Sequence, residues 1–401
     1  MNICFLSYEY PPGTSDGIGS YVYQVSRALA LAGHEVTVIA GEEKPLADEP
    51  LKRLRVIRLR WQPEGRFPWD IASTYRNLRQ VAQTCRTLHW QKPFDLIEAP
   101  DYRAEAYYLL QDPVDCAVIT KLHTPGYPLW ELEADALGKP FFQRRLARWL
   151  TMGPRKRLEK QVLWRSTRLH APSRAVARLV EKYYGIDPAG IDLVPYPYRP
   201  SASEGSACSI ENREPHVLYV GRLEVRKGVH LFAQIIPEVL RHFPQARFQF
   251  LGQDAGFGRH PSMAGWLRGR LGKLASRCEF LGPVPYHQVP TYMRCAAVCV
   301  FPSLWDNFPN VCLEAMAAGA CVVGSLRGGM AEMLQDGECG FLADPQIPET
   351  FAEKILMVLS RPQLRQRLGQ AARQRVHDLY RPEVILPRQI EAYRKAIEQV
   401  R

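Results

Sequence analysis

Residues 301–319, FPSLWDNFPNVCLEAMAAG, carry a strand end, a turn and a helix start in immediate succession. The apolar run Val298–Phe301 reads as a buried strand, Pro302 and Pro309 punctuate a loop, and Val311–Ala318 has good helix formers at helical spacing. The loop therefore ends at a helix N-terminus. There the backbone N–H groups after Pro309 and the positive end of the helix dipole suit an anion such as a diphosphate. Glu314 is expected within the first turn or so of that helix, on its cleft side. A carboxylate beside an anion site accepts well from sugar hydroxyls, so the pair suits a nucleotide read through ribose and phosphate. In a purely structural role Glu314 would only complement the dipole.

Working upstream, His216–Val220 is a second apolar strand, followed directly by GRLEVRKG, residues 221–228. Arg222 and Lys227 stand five residues apart around a strand-to-helix turn. Both cations can converge on a diphosphate, Arg as a bidentate fork and Lys as a point charge; cations in turns are also commonly just solvated. Beyond them the sequence predicts a helix over Leu231–Phe243, a strand over Arg247–Leu251, a strand end at Cys278–Leu281 with Gly282, and a helix over Tyr286–Cys295. Downstream it predicts a strand over Cys321–Gly324, a glycine-bearing loop RGGMAEML, a turn at Gly337–Leu342, and helices over Pro348–Val376 and Pro382–Gln399.

The N-terminal half repeats the alternation. Asn2–Tyr8 is a strand, EYPPGTSDGIGS a loop, Ser20–Ala32 a helix closed by Gly33, and His34–Ala40 a second strand. Gly17-x-Gly19 lacks a third glycine and is a weak nicotinamide fingerprint. Further strands are expected at Arg55–Leu59, Phe94–Glu98, Cys116–Leu122, Thr167–Ala171 and Asp192–Tyr196, with helices near 71–90, 101–111, 141–165 and 173–184. This is the βαβ pattern of a doubly wound α/β sheet, whose ligands bind beyond the carboxyl ends of the strands. His123 stands at one such end, in VITKLHTPG. An imidazole there suits a sugar hydroxyl or developing charge, or it simply belongs to the loop. Pro195–Pro215 is rich in Pro, Ser, Gly and charge and reads as an interdomain linker.

The pattern S-x-x-[acidic]-N-F-P-N-V-x-L-E-A-M-A-x-G, with Asp306 and Glu314 as its acidic pair, resembles the signature of retaining glycosyltransferases of family 4. Those enzymes have the GT-B fold. G-R-L-x-x-x-K-G resembles their diphosphate clamp, and Gly337–Leu342 their DGxxGFL turn. The resemblance covers nearly the whole chain and is strongest from Gly221 to Gly340. Two positions depart from the family pattern: Asp306 stands where Glu is usual, and Asp16 replaces the first glycine of the GGxG loop, placing a carboxylate near the acceptor.

The resemblance implies two Rossmann-like doubly wound domains facing across a cleft. Residues 1–196 would form the acceptor side, 197–380 the nucleotide-sugar side, and 381–401 a helix crossing back to the first domain. It implies catalytic roles for His123, Arg222, Lys227, Asp306 and Glu314. Donor contacts would come from Gly17, Gly19, Gly221, Phe280, Leu281, Asn307, Phe308, Pro309, Asn310 and Val311. The donor would be a UDP- or GDP-linked sugar, with no obligatory cofactor or metal, and the acceptor a hydroxyl on a glycan, lipid-linked sugar or small molecule. Other readings are a GT-B protein that does not transfer sugar, such as a sugar-nucleotide 2-epimerase, and a nucleotide-sugar-binding scaffold. The acidic pair speaks against the epimerase.

Composition bounds these readings. At 401 residues, 46% apolar, the chain is large enough for two cores. Its ten cysteines lie mostly in apolar runs without a C-x-x-C pair, which predicts reduced thiols and a cytosolic place. Neither a signal peptide nor a run of about eighteen apolar residues is evident. Much of the net charge of +11 falls in Lys139–Arg168. There Phe142, Leu146, Trp149 and Leu150 predict an amphipathic helix with a cationic face, suited to an anionic leaflet at the inner face of the membrane, an acidic acceptor, or solvent alone. No nucleic-acid-binding motif accompanies that charge.

Overall fold

The computed structural model describes residues 1–12, 17–42, 51–61, 69–139, 142, 145, 152–199 and 216–400. The chain divides into two compact units. One comprises Met1–Glu131, Lys139–Pro197 and Pro382–Arg401, the other Leu132–Gly138 and Tyr198–Arg381.

The first unit is built on a parallel sheet in the order β3-β2-β1-β4-β5-β6-β7. Its strands are β1 (Asn2–Ser7), β2 (Glu35–Glu42), β3 (Leu54–Arg60), β4 (Leu96–Pro100), β5 (Ala117–Lys121), β6 (Arg168–Ala171) and β7 (Ile191–Leu193). β1, β4 and β5 are covered on both faces, which is why they read as continuous apolar runs. Connecting them are α1 (Gly17–Leu31), α2 (Trp69–Gln91), α3 (Tyr107–Gln111), α4 (Gly126–Ala136, of which residues from Leu132 on belong to the second unit), α5 (Gly153–Arg165) and α6 (Arg174–Tyr184). The order of the strands reverses between β1 and β4.

The second unit has a parallel sheet in the order β10-β9-β8-β11-β12-β13. Here the strands are β8 (His216–Val220), β9 (Arg247–Leu251), β10 (Cys278–Gly282), β11 (Val298–Phe301), β12 (Val322–Ser325) and β13 (Phe341–Ala343). The helices are α7 (Phe232–His242), α8 (Met263–Leu271), α9 (Val289–Cys295), α10 (Asn310–Ala317), α11 (Met330–Leu334), α12 (Glu349–Ser360) and α13 (Pro362–Leu379). Phe248, Phe250, Val298, Val300 and Val323 from the strands pack with Phe232, Ile235 and Ile236 of α7 and Phe351 and Ile355 of α12. The reversal lies between β8 and β11. The last helix, α14 (Pro382–Glu398), belongs to the first unit, where Ile385 and Ala392 pack with Val194.

Several expectations are corrected. α1 begins at Gly17, so Gly17 and Gly19 lie in its first turn and not in a loop. The helix expected over 101–111 is a 3-10 turn, Tyr102–Ala104, and a short α3, because Arg103 and Ala104 adopt φ of 65° and 56°. α4 and α8 were not anticipated. RGGMAEML contains α11 rather than a continuous loop, and Pro348–Val376 is two helices broken at Arg361–Pro362. Asp16, residues 200–215 of the linker, and most of the expected amphipathic segment, including Leu146, Trp149 and Leu150, lie outside the described residues. Among the described residues no helix is long and apolar enough to cross a membrane.

Candidate functional site

In the second unit the loops after β8 and β11 leave the sheet at the point where strand order reverses, the place where open α/β sheets bind ligands. Gly221 follows β8 directly, its N–H donating to the Leu251 carbonyl at 2.9 Å. The chain then turns through 222–228 onto the loop that follows β11. Gly228 makes this contact possible: at φ +72° its Cα lies so close to the Pro302 carbonyl that a Cβ would stand 1.8 Å from that oxygen. Leu304 N–H donates to the Arg226 carbonyl at 2.9 Å and fixes the two loops in register.

Their side chains form a run of alternating charge. Arg222 Nη2 lies 3.3 Å from Glu224 Oε2, and Arg226 Nη2 lies 2.8 Å from Glu224 Oε1. Arg226 Nη1 reaches Asp306 at 4.0 Å, and Lys227 Nζ donates to Asp306 Oδ2. Burial pushes the Asp306 carboxyl up, but Lys227 and Arg226 outweigh it and hold the group below the usual carboxylate range. Burial in turn lowers the Lys227 ammonium, against the pull of Asp306. Arg222 and Lys227 are thus joined through two carboxylates and a third cation. Glu224 and Arg226 were not anticipated from sequence; their alternation with Arg222 and Lys227 inside one heptapeptide was the available signal.

Asp306 leads into α10. Asn307 and Phe308 are nearly enclosed, Phe308 packing its ring edge-on to Tyr380 with centroids 5.4 Å apart. Pro309 occupies the cap position of α10 with no side-chain cap, so Asn310 and Val311 open the helix. Glu314 is the fifth residue of α10, just past its first turn, and accepts from Tyr286 Oη at 3.1 Å. Phe280 and Leu281 lie on the edge strand β10, where the register shifts between Phe280 and Gly282. The Phe280 ring stacks on Phe250 at 4.7 Å with the Arg268 guanidinium 4.5 Å from its centroid. The structure therefore brings Arg222, Lys227 and Asp306 into one ion-paired run, and places Phe280 and Leu281 two strands away from β8.

In the first unit, Gly19 N–H faces Glu9 Oε2 at 3.4 Å at the start of α1. His123 sits just beyond β5. Its N–H donates to Asp101, and its Nδ1 lies 2.6 Å from Tyr196 Oη. Burial, reinforced by the neighbouring Lys121 ammonium, holds its pKa well below the ordinary value and so disfavours the charged imidazolium. Among the described residues no three His, Cys, Asp or Glu side chains converge on a metal-sized site.

Two family models match the chain, the glycosyl transferase 4-like domain over residues 16–197 and glycosyl transferases group 1 over residues 214–361. The chain belongs to the group 1 glycosyl transferases. Glycogen synthase of Mycobacterium tuberculosis is 26% identical over 94% of this chain and 90% of its own length. D-inositol 3-phosphate glycosyltransferase of Frankia alni is 27% identical over 90% of each. Among solved structures, sucrose-phosphate synthase of Thermosynechococcus elongatus superposes with a TM-score of 0.80 at 22% identity, covering 98% of this chain and 99% of the other. Anabaena HepE in complex with UDP and glucose superposes at 0.68 and 19%, over 98% and 100%. The fold is GT-B and the chain is a glycosyltransferase.

Proposed function

We propose that this glycosyltransferase moves a sugar from a nucleoside diphosphate to a hydroxyl acceptor with retention of anomeric configuration and without a required metal. The observation that carries this is the run Arg222–Glu224–Arg226–Asp306–Lys227 at the reversal point of the second sheet, with α10 starting four residues beyond Asp306. Breaking a glycosyl–diphosphate bond leaves charge on the departing phosphates. Fixed donors aimed at that charge are the largest available source of rate. Arg222, Lys227 and the N–H groups of Asn310 and Val311 supply them, in the role a divalent cation fills elsewhere.

In this reading Asp306 and His123 contact the donor sugar, Glu314 the ribose, and the backbone at Phe280–Leu281 the base. Gly221, Asn307, Phe308 and Pro309 shape the phosphate side, and Gly17 and Gly19 lie against donor and acceptor. No carboxylate is assigned as nucleophile; the acceptor attacks on the face the diphosphate leaves, and the departing phosphate takes its proton. Residues 1–196 take the acceptor side and 197–380 the donor side. The complex of Anabaena HepE with UDP-glucose makes that sugar nucleotide the first donor to try, with GDP-linked sugars second. A glycan or lipid-linked acceptor is favoured by the exposed Arg157, Lys160 and Trp164 of α5, which suit an anionic or membrane-associated partner. The described cysteines are free thiols, in keeping with a cytosolic place.

Incubation with UDP- and GDP-sugars and measurement of free nucleoside diphosphate tests the proposal. Release that is unchanged by EDTA and an α-linked product from an α-linked donor are expected. No release from any donor, with nucleotide binding intact, would favour the scaffold reading.

A further inference from the structure

The loop that carries His123 is held by two carboxylates that the proposed chemistry does not use. Asp101, fully buried just beyond β4, accepts through Oδ1 from the N–H groups of Tyr102 and His123, both at 2.8 Å, and through Oδ2 from Thr124 at 3.1 Å. Glu159 of α5, 4% exposed, accepts from Gly126 at 2.7 Å and Tyr127 at 3.3 Å, and from the Tyr184 hydroxyl at 2.5 Å. Pro125 has no N–H, so every backbone donor from 123 to 127 ends on one of these two groups. Thr124 is held at φ +110°, a conformation a β-branched residue rarely adopts. Such backbone persists only where its surroundings over-determine it.

The ring is fixed from another side. Tyr196 Oη lies 2.6 Å from Nδ1, and the Tyr21 ring meets the imidazole edge-on at 5.1 Å. Lys121, whose Nζ donates to the Val194 carbonyl at 2.6 Å, lies 5.0 and 5.6 Å from the Tyr21 and Tyr196 ring centroids. That ammonium disfavours a second positive charge on the imidazole.

We propose that Asp101 and Tyr196 are positioning residues of His123. Asp101 sets the backbone from which the ring projects, and the Tyr196 hydroxyl donates to Nδ1, so the ring carries its proton on Nε2. His123 then meets substrate as a neutral Nε2–H donor in a fixed orientation. This rests on the reading that His123 acts on the donor.

A double-mutant cycle on UDP release from UDP-glucose tests it. Asp101→Ala is expected to lower kcat at least tenfold in the wild-type background and less than twofold in His123→Ala, because Asp101 acts through that ring. An equal loss in both backgrounds, or none in the wild type, overturns it. Asp101→Asn, which keeps the shape and loses the Thr124 acceptor, decides by the same criterion should the alanine variant not fold. Imidazole nitrogen NMR, with the His123 signal assigned by His123→Gln, needs no turnover. The wild type is expected to show one Nε2–H tautomer and Tyr196→Phe a mixture, whereas a wild-type Nδ1–H signal overturns the assignment. A wild type inactive with every UDP- and GDP-linked sugar, together with the expected NMR result, would leave the positioning standing and sink the function.

Discussion

In the proposed reading the donor side turns on Asp306, because its single carboxyl faces Arg226 and Lys227, and Lys227 is a cation that the departing diphosphate also needs. A diphosphate arriving at Lys227 must share that ammonium with Asp306. Asp306→Asn therefore has opposite effects on binding and turnover. Removing the competing charge is expected to tighten UDP several-fold by isothermal titration, while kcat falls by roughly 100-fold as the sugar contact is lost. Weaker UDP binding in this variant would show that the carboxylate does not compete. Arg222→Ala and Lys227→Ala should each cut kcat by about 100-fold or more with circular dichroism unchanged; wild-type rates in both would remove the clamp from the mechanism. The acid limb of stability follows from the same pair. The folded carboxyl lies below its ordinary value of about 3.9, so its contribution is complete above that pH and is lost as pH falls through the folded value. Denaturant titrations below about pH 4 should show wild-type stability falling more steeply with acid than that of Asp306→Asn.

At the scale of elements, the clamp depends on two loops meeting at Gly228. Gly228→Ala places a Cβ against the Pro302 carbonyl at a positive φ, so neither the backbone nor the neighbour can yield cheaply. It is expected to cost about 2 kcal/mol or more in urea unfolding and to lower kcat together with UDP affinity, since it moves Arg222 and Lys227 relative to Asp306. Full stability would mean that the loop relaxes freely. Which elements were legible in the sequence has a physical basis. β8 and β11 were readable to the residue because strands covered on both faces are near-continuous apolar runs, and β9 because Phe248 and Phe250 alternate with polar neighbours before Leu251. α4 was not, because Gly126 and Pro128 occupy its first turn, and α8 was not, because Gly265 and Gly269 interrupt its pattern. Nothing local announces that Arg103 and Ala104 turn left-handed and split a helix. The site divides the same way. Arg222, Lys227 and Asp306 carry a motif, whereas Asp101 and Glu159 act on backbone 22 and 33 residues away and leave no local pattern.

At the scale of the whole chain, two units with separate stabilising devices should respond separately to perturbation. The first unit is closed by its last helix through Glu98, a buried carboxylate that accepts from Tyr21 at 2.8 Å, Gln389 at 3.1 Å and Tyr393 at 2.6 Å. Burial raises its pKa, and Lys121 with these donors opposes the shift. Tyr393→Phe removes one donor from a group that water cannot reach, at a cost of about 1–3 kcal/mol. The proposed phosphate and ribose ligands, by contrast, all lie in the second unit. A ligand that binds only the folded state stabilises the part it binds by mass action. Saturating UDP should therefore slow hydrogen exchange most in 221–228 and 302–317 and leave the Tyr393→Phe loss in α14 and β4 uncorrected. Protection centred instead on the ends of β4 and β5 would mean that the nucleotide binds the first unit, and that the ion-paired run of the second serves only to hold its own loops together.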